Sequence, residues 1–212
     1  MRNKFKNHEI KRTCNKVYKN PSSYKKSLRK DFCGHCAYCN LNEEWVAPLS
    51  FETEHFIPRD AFEKAGRTDL DTDYQNLMFS CPLCNRLKGD LFEGDIPEYE
   101  IINPFFYNPA EVDYNEIFYR DEKGIIHSDD ELGKQMIKIL QLYRPTKQMA
   151  WFLDELQEIH NRIETKISTE KDSQKQEKLK TAKTNLEAAL YRRHRFFVHS
   201  YIAEKSKGRS NR

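Results

Sequence analysis

Long apolar runs are missing from this chain. No stretch approaches the ~20 residues of a membrane span, and the N-terminal MRNKFKNHEIKRT lacks the apolar segment of a secretory signal. These absences exclude a membrane-spanning role and lead us to expect a cytoplasmic protein. The phosphate-cradling loop GxxxxGK[ST] is also missing, which excludes ATP hydrolysis by that route. There is no internal repeat. Apolar content is modest: 38% of residues are hydrophobic and 33% are charged, so several thin cores are expected rather than one thick one. Thirteen Phe and eleven Tyr compensate, because each aromatic buries a large area. Acids are nearly absent from residues 1–30, where eleven Lys or Arg face a single acid, Glu9. Such an arm either meets phosphate or is a solvated tail. Bases are nearly absent from residues 90–131, where thirteen acids face only Arg120 and Lys123. That stretch repels nucleic acid and is expected to face solvent or a partner protein.

Cysteines are few, six in 212 residues, and they are grouped. Two CxxC pairs, Cys36/Cys39 and Cys81/Cys84, are separated by 41 residues. In a reducing compartment this reads as metal ligation rather than a disulfide framework. Four thiolates suit a tetrahedral, structural Zn2+ with no open position for water. Asn40 follows the first pair and tolerates the left-handed turn of a zinc knuckle. Cys33 with Cys36 is the competing register. Between the pairs lie residues fit for a second, harder metal. Glu54 offers a carboxylate, and His55 an imidazole able to take a proton from water near neutral pH. Asn85, one residue past Cys84, offers an amide oxygen. So sparse a ligand set leaves room for water and phosphate, as Mg2+ or Mn2+ prefers. Lys88, three residues on from Asn85 on a helix, is placed to contact phosphate, and Arg86 is grouped with it.

The expected fold class is α+β, mainly helical. Residues 1–32 form the basic arm, and Pro21 opens a helix over YKKSLRKDF. Residues 33–94 form a small zinc-stabilised core in the order strand, loop, strand, helix. Its strands are 45–57 and YQNLMFSC, and its helix opens at Pro82 and runs on through LCNRLKGDLF. Residues 95–131 are an acidic insertion with a hairpin turning at Glu122-Lys123-Gly124. Residues 132–212 are helical. The first helix there has Leu132, Met136, Ile139, Leu140 and Tyr143 on one face, and Pro145 breaks it. Two longer helices span 147–167 and about 176–205. Trp45 and Trp151 are expected in the core.

The run CAYC, then EHFIP, then YQNLMFSCPLCNRLKG resembles the HNH endonuclease family, with its ββα-metal core and zinc-binding cysteines. The resemblance covers about residues 33–92. It implies that His55 is the general base, Asn76 orients the His-bearing loop, and Glu54 and Asn85 ligate the catalytic cation. Glu54 departs from the usual Asp or His, and its extra methylene moves the carboxylate. Further on, INPFFYNPAEVDYNEIFYRDEKGII, the helix containing Gly133 and QLYRP resemble the downstream region of HNH proteins of Septu- and retron-type anti-phage systems. That implies a nuclease effector acting on double-stranded DNA, with an ATPase partner subunit. Two other readings stay open: a zinc-stabilised module that binds nucleic acid or a partner without cutting, and an HNH ribonuclease.

Overall fold

The computed structural model describes residues 2–46 and 51–207. The chain divides into two compact units, Met1–Arg144 and Pro145–Arg212. The fold is α+β and mainly helical, with two small sheets.

The first unit is built on an antiparallel hairpin of β2 (Glu52–His55) and β3 (Leu77–Ser80), in the register Glu52↔Ser80 to His55↔Leu77. All four residues of β3 are buried, so both faces of that strand are covered. Two helices pack on it: α1 (Lys25–Asp31) against both strands and α3 (Pro82–Lys88) against β2. Pro82 occupies the first helical turn, where its missing N–H costs nothing. The helix ends earlier than the sequence suggested, because Gly89 turns into a positive-φ conformation at 53°. The segment between the strands carries α2 (Arg59–Lys64), closed by Gly66 at φ +70°, and two 3-10 turns, Thr68–Asp71 and Tyr74–Asn76. The expected strand over 45–57 is shorter. Glu43–Val46 is a 3-10 turn, residues 47–50 lie outside the described residues, and pairing begins at Glu52.

The first thirty-two residues are part of this unit rather than a free tail. Here β1 (Asn3–Lys4) pairs with β4 (Tyr119–Arg120), which pairs with β5 (Ile126–His127) across the turn at Gly124. Phe5 is buried against the rings of Tyr114 and Phe118, which flank or lie in α4 (Tyr114–Ile117). Arg12 donates to the carbonyl of Leu77 at 2.7 Å and lies over the rings of Phe32 and Tyr74. The charge of the arm is thus partly spent on internal contacts. Next, α5 (Glu131–Ile139) stops because Gln141 adopts a positive φ, 49°. Tyr143 therefore leaves the expected apolar face and is exposed. Trp45 is half-buried.

The second unit is a helical hairpin of α6 (Pro145–Thr169) and α7 (Ser173–Lys207). Pro145 starts α6 rather than merely ending its predecessor. Antiparallel pairing is recorded by Thr146 on Glu204, His160 on Glu187, Lys183 on Glu164 and Gln176 on the carbonyl of Ile167. Leu156, Ile163, Leu179 and Leu186 are half-buried, as the seam of two helices allows, whereas Ile159 is exposed. Trp151 is half-buried too. No helix among the described residues is long and apolar enough to cross a membrane.

Candidate active site and metal centre

The thiols of Cys36, Cys39, Cys81 and Cys84 are buried, and their sulfurs all lie within 4.8 Å of one another. Among the described residues this is the one group of three or more His, Cys, Asp or Glu able to hold a metal. Zn–S bonds of about 2.3 Å at tetrahedral angles require sulfurs about 3.8 Å apart. The separation of Cys39 Sγ and Cys81 Sγ is 3.8 Å. The quartet therefore fits zinc in both donor chemistry and spacing. Two knuckles present it. In the first, Asn40 takes a positive φ of 59° and donates its N–H to the carbonyl of Cys36. In the second, the N–H of Cys84 points at Cys81 Sγ as α3 begins. The N–H of Ala37 bonds the carbonyl of Phe79, tying the first knuckle to β3. Burial holds the Cys36 thiol well above its ordinary pKa, and the crowding of sulfurs does the same for Cys84. Zinc would reverse this by favouring thiolates. Cys33 is exposed and takes no part in the cluster.

His55 ends β2 with its side chain 14% exposed. Its Nε2 lies 2.9 Å from the carbonyl of Asp71, which can only accept a hydrogen bond. Nε2 therefore carries the proton of the neutral ring, and Nδ1 is the basic nitrogen. The Asp71 carboxylate stands 3.3 Å from the same nitrogen and is itself paired with Arg59 at 2.6 Å. Phe62, buried on α2, meets the imidazole edge to face.

The main chain after His55 is fixed residue by residue. Lys88 Nζ donates to the carbonyl of His55 at 2.8 Å. Asn103 Nδ2 donates to the carbonyl of Phe56, whose own N–H bonds the carbonyl of Asn76. Asn76 is fully buried. Its amide oxygen accepts from the N–H of Ile57 at 2.8 Å, and its Nδ2 donates to the carbonyls of Ile57 and Leu70.

The remaining residues are not arranged as the sequence suggested. Successive strand residues face opposite sides, so Glu52 and Glu54 share the side that meets α3. Asn85 bonds Glu52 at 2.5 Å. Glu54 is buried, with one carboxylate oxygen 2.5 Å from Lys88 Nζ and the other accepting from the hydroxyl of Tyr38 at 2.6 Å. A dication on Glu54 would displace these bonds and stand beside an ammonium, so the pair Glu54 and Asn85 as arranged does not fit a cation. Lys88 needs correction as a phosphate contact. Its side chain is 1% exposed and its ammonium is committed to Glu54 and the His55 carbonyl. Arg86 is half-buried on the same helix. Tyr38, Glu52, Arg59, Asp71 and Asn103 had no role in the sequence reading. The period of two linking Glu52 to Glu54 was a usable signal. The others reach the site from the start of α2, a 3-10 turn and loops, and no local pattern reveals that they converge.

Residues 36–91 match the family model of the HNH endonuclease. This stretch contains the four cysteines, the hairpin and α3. The match supports a nuclease-type activity and, with it, binding of nucleic acid. No curated protein matches the chain, and no solved structure matches it.

Proposed function

We propose that the protein is a metal-dependent HNH endonuclease that hydrolyses phosphodiester bonds of double-stranded DNA. The observation that carries this reading is the mounting of His55: a basic Nδ1 on a ring held at Nε2, on main chain latched at three consecutive residues, within the stretch that matches the family. In this reading His55 takes a proton from water as the water oxygen attacks phosphorus. The P–O bond to the 3′ oxygen breaks, and Asn76 keeps the loop in place. A divalent cation, Mg2+ or Mn2+, belongs to the reading; with Glu54 committed to Lys88 and Tyr38, only Asn85 remains of the two expected ligands, and its amide would have to turn from Glu52 to hold the ion. When bound it would offset the charge developing on the phosphate. Arg86 would contact the DNA backbone, and backbone contacts would dominate binding, so cleavage should weaken with rising salt.

The test is nicking of plasmid by the purified chain in Mg2+ or Mn2+, run beside tRNA. His55→Ala should lose about 10²- to 10⁴-fold in rate while keeping its zinc. A zinc-loaded His55→Ala protein that cuts at the parent rate removes the mechanism. Faster cleavage of tRNA would make it a ribonuclease. The commitment of Glu54 to Lys88 favours a second reading, a zinc-stabilised binding module without catalysis. Metal-dependent nicking excludes it.

A cytoplasmic nuclease effector of an anti-phage system, gated by an ATPase subunit, is the wider role we propose. Its support is the resemblance of residues 102–126 and of QLYRP to such proteins. Co-purification of the chain with an ATPase encoded beside it would test that role.

A further inference from the structure

We propose that Glu54 is the counter-ion of Lys88 and, through it, a positioning residue for His55, rather than a ligand of the catalytic cation. The inference rests on the nuclease reading only for its effect on rate. The clasp itself stands on geometry.

Lys88 is a long cation drawn almost wholly out of water on the last turn of α3. A buried ammonium needs a charge partner and hydrogen-bond acceptors. Glu54 supplies the charge at 2.5 Å and the carbonyl of His55 accepts at 2.8 Å, while the ring of Phe106 lies 5.9 Å from the nitrogen. Glu54 is completed in turn by the hydroxyl of Tyr38, which burial keeps protonated and therefore donating. The chain of contacts Tyr38–Glu54–Lys88–His55 runs from the first zinc knuckle to the carbonyl of the residue proposed as base. Each member has its main polar groups occupied by the next. Without Glu54, Lys88 would be an uncompensated charge in the interior and would have reason to leave for solvent, releasing the His55 carbonyl. The longer side chain that sets Glu54 apart from Asp gives the reach to Lys88 and Tyr38.

The experiment uses the zinc-loaded full chain and the variants E54Q, K88M, K88R and the double variant E54Q/K88M. In thermal unfolding, each of E54Q and K88M should lower the midpoint, and the double variant should lose less than the sum. Additive losses would overturn the clasp. In NMR, the ring signals of His55 should shift in E54Q and K88M and return toward the parent position in K88R. Unmoved signals would overturn positioning. In plasmid cleavage, E54Q and K88M should lower kcat by up to about 10²-fold, with KM and the Mn2+ concentration for half-maximal rate unchanged. A tenfold or greater rise in that Mn2+ requirement in E54Q would make Glu54 a ligand and overturn the proposal. A parent chain that cuts nothing would defeat the nuclease reading. The unfolding and NMR results would then decide the clasp alone.

Discussion

Asn76 makes three side-chain hydrogen bonds near His55, and all of them go to main chain. Removing its amide strands the N–H of Ile57 and the carbonyls of Ile57 and Leu70, all on buried residues. Each such group costs about 1–3 kcal/mol. Asn76→Ala should therefore lose several kcal/mol of stability in urea unfolding; a loss under about 1 kcal/mol would mean that the loop has other support. His8 makes a different prediction. It is half-buried with its ring tilted against that of His35, and burial, followed by the charge of His35, brings its pKa down from 6.5 to about 4. Between those values the unfolded chain binds the proton and the folded one does not. The contribution of His8 is therefore fully present above about pH 6.5 and is lost as pH falls toward about 4. Acidification across this window should destabilise the parent more steeply than His8→Gln. Equal slopes in parallel urea titrations would count against this. The sequence made Asn76 and His55 readable because both sit in a recognisable run, EHFIP to YQNL. His8 was unreadable, since its burial depends on an arm that looked like a tail.

At the level of elements, the hairpin, the short helix after Pro82 and the turn at Gly124 were legible from β-branched and aromatic runs, a proline at a first helical turn and a glycine. The arm was not. Eleven basic residues concealed Phe5, one apolar side chain that docks β1 onto a sheet formed more than a hundred residues later. The direction of Glu54 was not legible either, because a two-residue alternation gives the face but not the partner waiting on it. Helix α5 has its own close fit. A methyl group at Gly133 would collide with Ser128 Oγ and press on Ile117. The Ser128 hydroxyl cannot swing aside cheaply, because it donates to the carbonyl of Ile117 at 2.7 Å and accepts from the N–H of Asp130. Gly133→Ala should cost about 1–3 kcal/mol despite the better helix propensity of alanine. A thermal midpoint at or above the parent value would show that α5 has room to shift.

For the molecule as a whole, the four-cysteine cluster fits a zinc that would share the work of stability in the first unit with the aromatic core. Structural zinc contributes about 10–16 kcal/mol in small peptides, comparable with the entire 5–15 kcal/mol by which domains are stable. Stripping zinc with a chelator should therefore abolish the near-ultraviolet circular dichroism of the packed Tyr and Phe rings, and adding zinc should restore it. A spectrum unchanged after verified zinc loss would assign the stability to the aromatic clusters instead. The charge map of the sequence also changes meaning at this scale. Lys6, Arg12, Lys88 and Arg120 are buried or largely buried. A net charge of +3 thus says little about what the surface offers to a polyanion.

The three latches on residues 55–57 bear on timing. Many binding loops spend part of the encounter energy on becoming ordered, and that cost slows or weakens the first productive collision. Here Lys88, Asn103 and Asn76 meet that cost when the chain folds. If His55 is the base proposed above, the imidazole is preorganised, and adaptation at encounter would fall to the incoming strand, which would have to bend or shift to bring a phosphate to a fixed ring. Discrimination between substrates would then follow how readily each deforms, a property of the nucleic acid rather than of the loop.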